Sequence, residues 1–275
     1  MINKRQTIIN IVTCFENEPE IIEYAKELSI QQHNSDVCLV VVMNKTSMNI
    51  NIFKQNLCKE KSNSIIYYPS ENLGYLNGLI FGYENYIMEH PKPDWVIMSN
   101  TDIKYRDSNF FTKFLESEYD TNIWCVAPSV YSLQNNTYEN PQYIYRHSLK
   151  GLKKRLFIFQ RPKFAYYYLK LANLKSKIIN KKRKSSQYVY SAHGCYFILR
   201  SDLADLLMEN RYGVLMYSEE AFIAEHIRLN NKKCFYDHNI EVIHKGSTVT
   251  SKLDIKKKAN YLVESLQYII NEFYR

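Results

Sequence analysis

The first hundred residues alternate two hydrophobic periods, and that alternation constrains the fold more than any other feature. Thr7–Cys14 and Val37–Met43 are short, nearly continuous apolar runs rich in β-branched side chains. Ser64–Tyr68 and Trp95-Val96-Ile97-Met98-Ser99 follow as two more short runs. Such runs read as strands covered on both faces. Helical patterns lie between them. Glu18–Gln32 sets Ile21, Ile22, Ala25, Leu28 and Ser29 on one side; Asn49–Lys61 is looser; a third helix follows the Asn72-Leu73-Gly74-Tyr75 loop to about Met88. Strands alternating with helices require crossover connections, so the expected fold is α/β, with a doubly wound, mostly parallel sheet.

Beyond Asp102 the pattern loosens. Asn109–Glu118 reads as a helix, Ile123–Ala127 as a strand ended by Pro128, and Leu133–Tyr145 as a polar loop. Pro162 is suited to open a helix. Tyr188–Leu199 reads as a strand interrupted at His193-Gly194, and Glu219–Asn231 as a helix. Cys234–Asp237 and Ile240–Ile243 read as two short strands, and Asp254–Tyr274 as a closing amphipathic helix.

Charge is distributed unevenly. Residues 146–184 hold 14 Lys or Arg and no Asp or Glu, leaving 22 basic against 28 acidic residues elsewhere. A mildly acidic body with one basic segment points to a localised anionic partner, such as a phospholipid surface, a lipid diphosphate or nucleic acid. No apolar run approaches the roughly 18 residues that span a membrane. The start resembles a first strand more than a signal peptide, because acidic Glu16-Asn17-Glu18 follows it without a small-residue cleavage site. The six cysteines form no C-x-x-C pair and read as buried, reduced thiols of a cytoplasmic protein.

Chemistry concentrates where the runs end. The Trp95 strand runs into Asn100-Thr101-Asp102. Ligands of open α/β sheets bind at such carboxyl edges, and a carboxylate there can hold a divalent cation against a phosphate. The competing reading of Asp102 is a turn cap. Asn72-Leu73-Gly74-Tyr75 precedes a helix whose N-terminus attracts anions. Glu219-Glu220 opens another helix, and Val242-Ile243-His244-Lys245 closes a short strand.

In this order, from Val12-Thr13-Cys14-Phe15 to His244-Lys245-Gly246-Ser247, the segments resemble glycosyltransferase family 2 of the GT-A fold. Within it they are most similar to rhamnosyltransferase-like members of bacterial capsule and O-antigen synthesis. The likeness spans roughly Thr7–Ser247 and is weakest across Leu133–Lys184. It implies a metal-dependent inverting transfer of a sugar from a nucleotide-diphosphate donor (UDP- or dTDP-linked) to a glycan or lipid-linked acceptor. Thr13, Phe15, Asn44, Asn72, Gly74 and Asn100 match donor-binding positions, with Lys245 and Lys252 as phosphate contacts. Asp102 matches a ligand of Mn²⁺ or Mg²⁺, and His244 matches a second ligand or a diphosphate contact. Glu220 matches the general base, with Glu219 as its alternative, and His193 and Gly194 match the acceptor loop. Three positions depart from the family pattern: Met43 and Asn100 replace carboxylates, and His226 replaces an arginine, with Arg228 close by.

The implied organisation is one catalytic unit over 1–275. It comprises a nucleotide-binding half (1–132), a basic, partly helical insertion (133–187), an acceptor half (188–250) and a C-terminal helix (251–275). Residues 146–184 are expected to rest on the inner face of the cell membrane or to form a homodimer contact; no nucleic acid is expected. Two rival readings are a sugar nucleotidyltransferase and a decayed membrane- or nucleic-acid-binding module. The first would want a glycine-rich basic loop after the first strand, where Cys14–Glu18 is acidic and lacks glycine.

Overall fold

The structure, a computed structural model, describes residues 6–31, 37–60, 62–178, 182–246 and 254–274. The apolar runs of the first half become parallel strands β1 (Ile8–Phe15), β2 (Val37–Lys45), β3 (Ser64–Tyr67) and β4 (Trp95–Ser99). They alternate with helices α1 (Glu18–Gln31), α2 (Ile50–Lys59) and α3 (Leu76–Glu89). The second half adds β5 (Ile103–Tyr105), α4 (Phe110–Glu116), β6 (Ile123–Ser132), β7 (Thr137–Tyr138), α5 (Leu149–Phe159) and α6 (Pro162–Ile178). It ends with β8 (Gln187–Val189), β9 (Tyr196–Arg200), α7 (Ser201–Glu209), α8 (Glu219–Leu229), β10 (Lys233–His244) and a final helix, α9 (Ile255–Phe273).

One sheet runs β3-β2-β1-β4-β9-β6-β10-β5, with β7 on β6 and β8 on β10. Among the described residues, six of the eight strands on that path point the same way; β9 and β5 run against them. Alternation along β1 builds the layers. Ile8 and Val12 face a core shared with α1, α2 and α4, while Ile9 and Ile11 face one shared with α3, α7, α8 and α9. Each such buried aliphatic side chain contributes about 1.5–3 kcal/mol. The chain places β2 and β3 on one side of β1, then returns to place β4 on the other. That reversal is the switch point at which open α/β sheets bind ligands.

Three departures from the sequence reading have local causes. β6 continues through Pro128 to Ser132, because Pro128 lies opposite Asp237 where the β6–β10 register shifts. A bulge tolerates the missing N–H. The same bulge joins Cys234–Asp237 and Ile240–Ile243 into one strand, β10. Strand β5 and helices α5 and α7 appear where no element was expected, and Thr137–Tyr138, within the expected loop, pairs with β6 as β7. All six cysteines are free, as expected, but Cys58 is exposed rather than buried. No helix of the described residues is long and apolar enough to cross a membrane.

Candidate active site

The switch point opens into a cavity of about 520 Å³. Strand β5 delivers its first wall. Ile103 pairs with His244 across the antiparallel β5–β10 ladder, and the Lys245 N–H bonds the Asp102 carbonyl at 2.9 Å. Asp102 and His244, 142 positions apart, therefore meet, with Nε2 3.2 Å from Oδ2 and outside hydrogen-bond alignment. Asp102 is 6% exposed, and neither of its oxygens has a hydrogen-bond donor. A buried carboxylate without donors is costly unless a cation compensates it, a part that the protonated His244 ring or a bound metal ion can play. His244 Nδ1 bonds Glu139 Oε2 at 3.0 Å, which turns Nε2 toward Asp102. Burial opposes charge on this ring, but Asp102 and Glu139 outweigh it and lift its pKa to about 9. Burial likewise raises Glu139, yet His244 and His193 draw it down to about 2.

These residues fit a divalent cation. Two ligand atoms 3.2 Å apart approximate the ~3 Å edge of an octahedron with 2.0–2.1 Å bonds. A carboxylate on the far nitrogen of a ligating histidine is a common orienting partner. Among the described residues no three His, Cys, Asp or Glu side chains form a metal cage. A cation held by Asp102 and His244 alone would need substrate oxygens and water to complete its shell.

The ends of β1 and β2 form the second wall. Thr13, Phe15 and Asn44 line the cavity, and Met43 is buried in the core, as the end of an apolar strand should be. Asn17 caps the turn after β1. Its Oδ1 accepts the Phe15 N–H at 2.7 Å and its Nδ2 donates to Thr101 Oγ1 at 2.8 Å, which in turn donates to Glu20 at 2.9 Å. The Asn44 side chain clasps the neighbouring loop, donating to the Gly74 carbonyl at 2.8 Å and accepting from Leu73 N–H at 3.3 Å. Asn72 closes a turn onto the Gly74 N–H at 3.0 Å. Gly74 has φ +75°, and a Cβ there would stand 2.2 Å from the Leu215 carbonyl. Its missing side chain thus serves the seam with the 211–218 segment as well as the cavity wall.

That seam holds the acids. Asn77 exchanges two hydrogen bonds with the Tyr212 backbone, and the Tyr75 N–H bonds the Leu215 carbonyl at 3.0 Å. Tyr217 and Ser218 then both take left-handed backbone, φ 71° and 63°, before α8 begins. Neither is glycine, so the turn stores strain of the kind concentrated at functional sites. It directs Glu219 and Glu220 into the cavity. Glu219 is buried and accepts the Tyr217 N–H at 2.7 Å. Burial, then the charge of Glu220, pushes its pKa up to about 8. Glu220 is more exposed; Gln142 Nε2 reaches it at 3.5 Å, the outer limit of a hydrogen bond. A Cβ on Gly194 would lie 3.1 Å from Glu220 Oε1, so the glycine leaves that carboxylate its room. Tyr75 Oη ties the same loop down through the Gly194 carbonyl at 3.0 Å. His193 Nδ1 accepts the Cys195 N–H at 3.2 Å, leaving Nε2 as the protonated nitrogen, 3.7 Å from Glu139. Burial lowers the His193 pKa.

No protein-family model matches the chain, and no curated protein matches it by sequence. Solved structures do. The mannosyltransferase PcManGT from Pyrobaculum calidifontis, solved with GDP-Man and Mn²⁺, superposes with a TM-score of 0.58 at 10% identity. The alignment covers 98% of this chain and 75% of that one. GalNAc-T7, solved with UDP, GalNAc and Mn²⁺, gives 0.58 at 9% identity over 98% and 50% of the two chains. S. aureus TarS gives 0.55 at 11% over 97% and 44%. The chain has the GT-A fold. It spans about half the length of the latter two proteins.

Within this GT-A fold, Thr13, Phe15, Asn44, Asn72, Gly74, Asn100, Asp102, His193, Gly194, Glu219, Glu220 and His244 all line one cavity. Lys245 does not. It pairs with Glu23 of α1 at 2.7 Å, off the cavity wall. Lys257, from the first turns of α9, is the cation on the wall, and Tyr261 joins it one turn later. Lys252 lies outside the described residues. His226 packs between Phe222 and Phe273, and Arg228 pairs with Glu225, so neither side chain reaches the cavity. Sequence reasoning missed Asn17, Thr101, Glu139, Gln142, Lys257 and Tyr261. Only Asn17 and Thr101 carried a local signal, standing beside strand ends already singled out.

Proposed function

We propose that this protein transfers a sugar from a nucleotide-diphosphate donor to a glycan acceptor, by a metal-dependent displacement with inversion. One observation carries the reading: Asp102 and His244 meet on one wall of a cavity whose other wall presents Glu219 and Glu220. The GT-A neighbours solved with GDP-Man or UDP and with Mn²⁺ support a nucleotide-sugar donor and a divalent cation. The sequence likeness to rhamnosyltransferase-like proteins extends the proposal to a lipid-linked bacterial glycan as acceptor.

Asp102 and His244 would hold Mn²⁺ or Mg²⁺, which supplies positive charge to the departing diphosphate. Glu139 fixes the His244 ring for that purpose. Phe15, Thr13 and Asn44 offer an aromatic face, a hydroxyl and an amide for base and ribose, and Asn72 and Lys257 offer donors for phosphate oxygens. Glu220, beside the Gly194 loop, takes the acceptor hydroxyl proton as that oxygen bonds the anomeric carbon and the carbon–phosphate oxygen bond breaks. Burial and the neighbouring Glu220 charge favour the protonated form of Glu219, which braces the turn through Tyr217 instead. Leu215, Met216 and Tyr217 give the cavity an apolar wall that excludes water from the reacting centre.

The test is calorimetric titration with a panel of nucleotide-sugars in Mn²⁺, in Mg²⁺ and in chelator. One donor should bind in metal and lose affinity in chelator, and Asp102→Ala should abolish the metal-dependent part. No metal-dependent binding by any donor would overturn the reading.

A further inference from the structure

Helix α6 turns its apolar side away from the protein. Of its described side chains, Ala165 is fully buried and Leu169 is partly so. Phe164, Tyr167, Leu171 and Leu174 are 52%, 62%, 64% and 56% exposed. At about 100° per residue these four fall within an arc of about 80°, on the side of the helix opposite Ala165 and Leu169. Their stripe is about 15 Å long. Lys163 and Lys170 border it on one edge and Lys175 on the other, and all three are exposed. No acidic residue occurs anywhere in 146–184. An amphipathic helix with aromatic and aliphatic residues outward, flanked by lysines, is built to lie in the plane of a lipid interface.

We propose that this outward face of α6 docks the protein onto an anionic lipid surface, with Phe164, Tyr167, Leu171 and Leu174 in the headgroup–acyl boundary and the flanking lysines on lipid phosphates. Charge complementarity selects this occupant over a second copy of the chain. Two α6 helices laid together would oppose lysine to lysine with no acid in the segment to pair them. A lipid surface also accepts a stripe one helix wide, where a stable protein interface needs a broader patch. The inference is independent of the transfer chemistry, because none of these side chains lines the catalytic cavity.

The test is co-sedimentation of the full chain with vesicles of phosphatidylcholine alone and of equal parts phosphatidylglycerol and phosphatidylcholine. The protein should pellet with the anionic vesicles only, and less so as salt rises. Leu171→Ser combined with Leu174→Ser should weaken that binding at least tenfold. Lys163→Glu combined with Lys170→Glu should weaken it by about fivefold or more per charge. Circular dichroism and melting temperature of each variant should match the parent, because the altered side chains face solvent. Absence of vesicle binding by the parent chain would overturn the proposal, as would equal binding by parent and variants. A dimer of the parent that dissociates on Leu171→Ser with Leu174→Ser, with no vesicle binding, would assign the face to a second copy and also overturn it.

Discussion

Glu219 and Glu220 are adjacent in sequence and differ in surroundings, and that difference supports the separate roles proposed for them. The Glu219 carboxyl is 7% exposed and engages the Tyr217 N–H, while Glu220 faces the acceptor loop. Glu220→Gln should therefore lower kcat by about 10²–10⁴-fold with donor affinity unchanged, measured by turnover and by titration calorimetry. Loss of turnover in Glu219→Gln with normal turnover in Glu220→Gln would reverse the assignment. Glu219 also makes a pH prediction. Its folded pKa is raised from 4.5 to about 8, so the folded state holds the proton more tightly than the unfolded chain does. The associated stability is present below pH 4.5 and is lost as pH rises through about 8. Glu219→Gln removes the buried charge while keeping an acceptor for Tyr217. Its unfolding free energy relative to wild type should climb between pH 5 and 9, by an amount on the order of a few kcal/mol. A flat difference across that range would show that the carboxyl is not buried as described. Asp102, His244 and the two glutamates could be singled out as candidates in sequence because each ends a strand, follows one closely or opens a helix. Glu139 was not. Its partner His244 lies 105 positions away, and nothing in the polar stretch around it signals the contact.

At the scale of elements, legibility follows periodicity. The strands and helices of the first half sit within a few residues of their expected bounds, because each strand is a short apolar run, fully buried in β4 and largely so in β1 and β2. Helix α7 went unread because Arg200, at its N-cap, supplies no capping side chain and β9 runs straight into it. Strand β5 is three residues long, too short for a periodic signal, yet it places Asp102 beside His244. Packing between elements is equally hidden in sequence. A Cβ on Gly82 of α3 would lie 2.7 Å from Ile11 Cγ2 and 2.8 Å from Val42 Cγ2. Both neighbours are β-branched and held within the sheet, so neither can give way easily. Gly82→Val should cost about 1–3 kcal/mol in urea unfolding despite removing a glycine from a helix. An unchanged midpoint would mean that α3 rides further from the sheet than the structure places it. Gly194 makes the parallel case at the site. Gly194→Ala should press on Glu220 and lower kcat more than it weakens donor binding, since its contact is with the acid and not with the donor wall.

For the molecule as a whole, the cavity exists only once distant segments are joined. Its walls come from the ends of β1 and β2, the loop before α3, the turn after β4, the loops before β9 and α8, and the start of α9. No local pattern could have recruited Lys257 and Tyr261, because their place depends on where α9 packs after the chain has crossed the sheet. Such a cavity couples ligand binding to global stability, since unfolding separates every wall from the others. A nucleoside diphosphate with Mn²⁺ at about 100 times its Kd adds about 2.7 kcal/mol to the folded state. For a chain of this size that should raise the melting temperature by about 5 °C. Nucleotide without metal, or metal with excess chelator, should raise it much less. Asp102→Ala should remove most of the metal-dependent increment while leaving the ligand-free melt close to wild type; His244→Ala should also lower the ligand-free melt, because it leaves the buried Glu139 carboxylate without its partner. If instead Asp102→Ala lowered the ligand-free melt as much as it reduced the increment, the Asp102–His244 pair would be a structural clamp between β5 and β10. The cation would then have to bind elsewhere on the cavity wall.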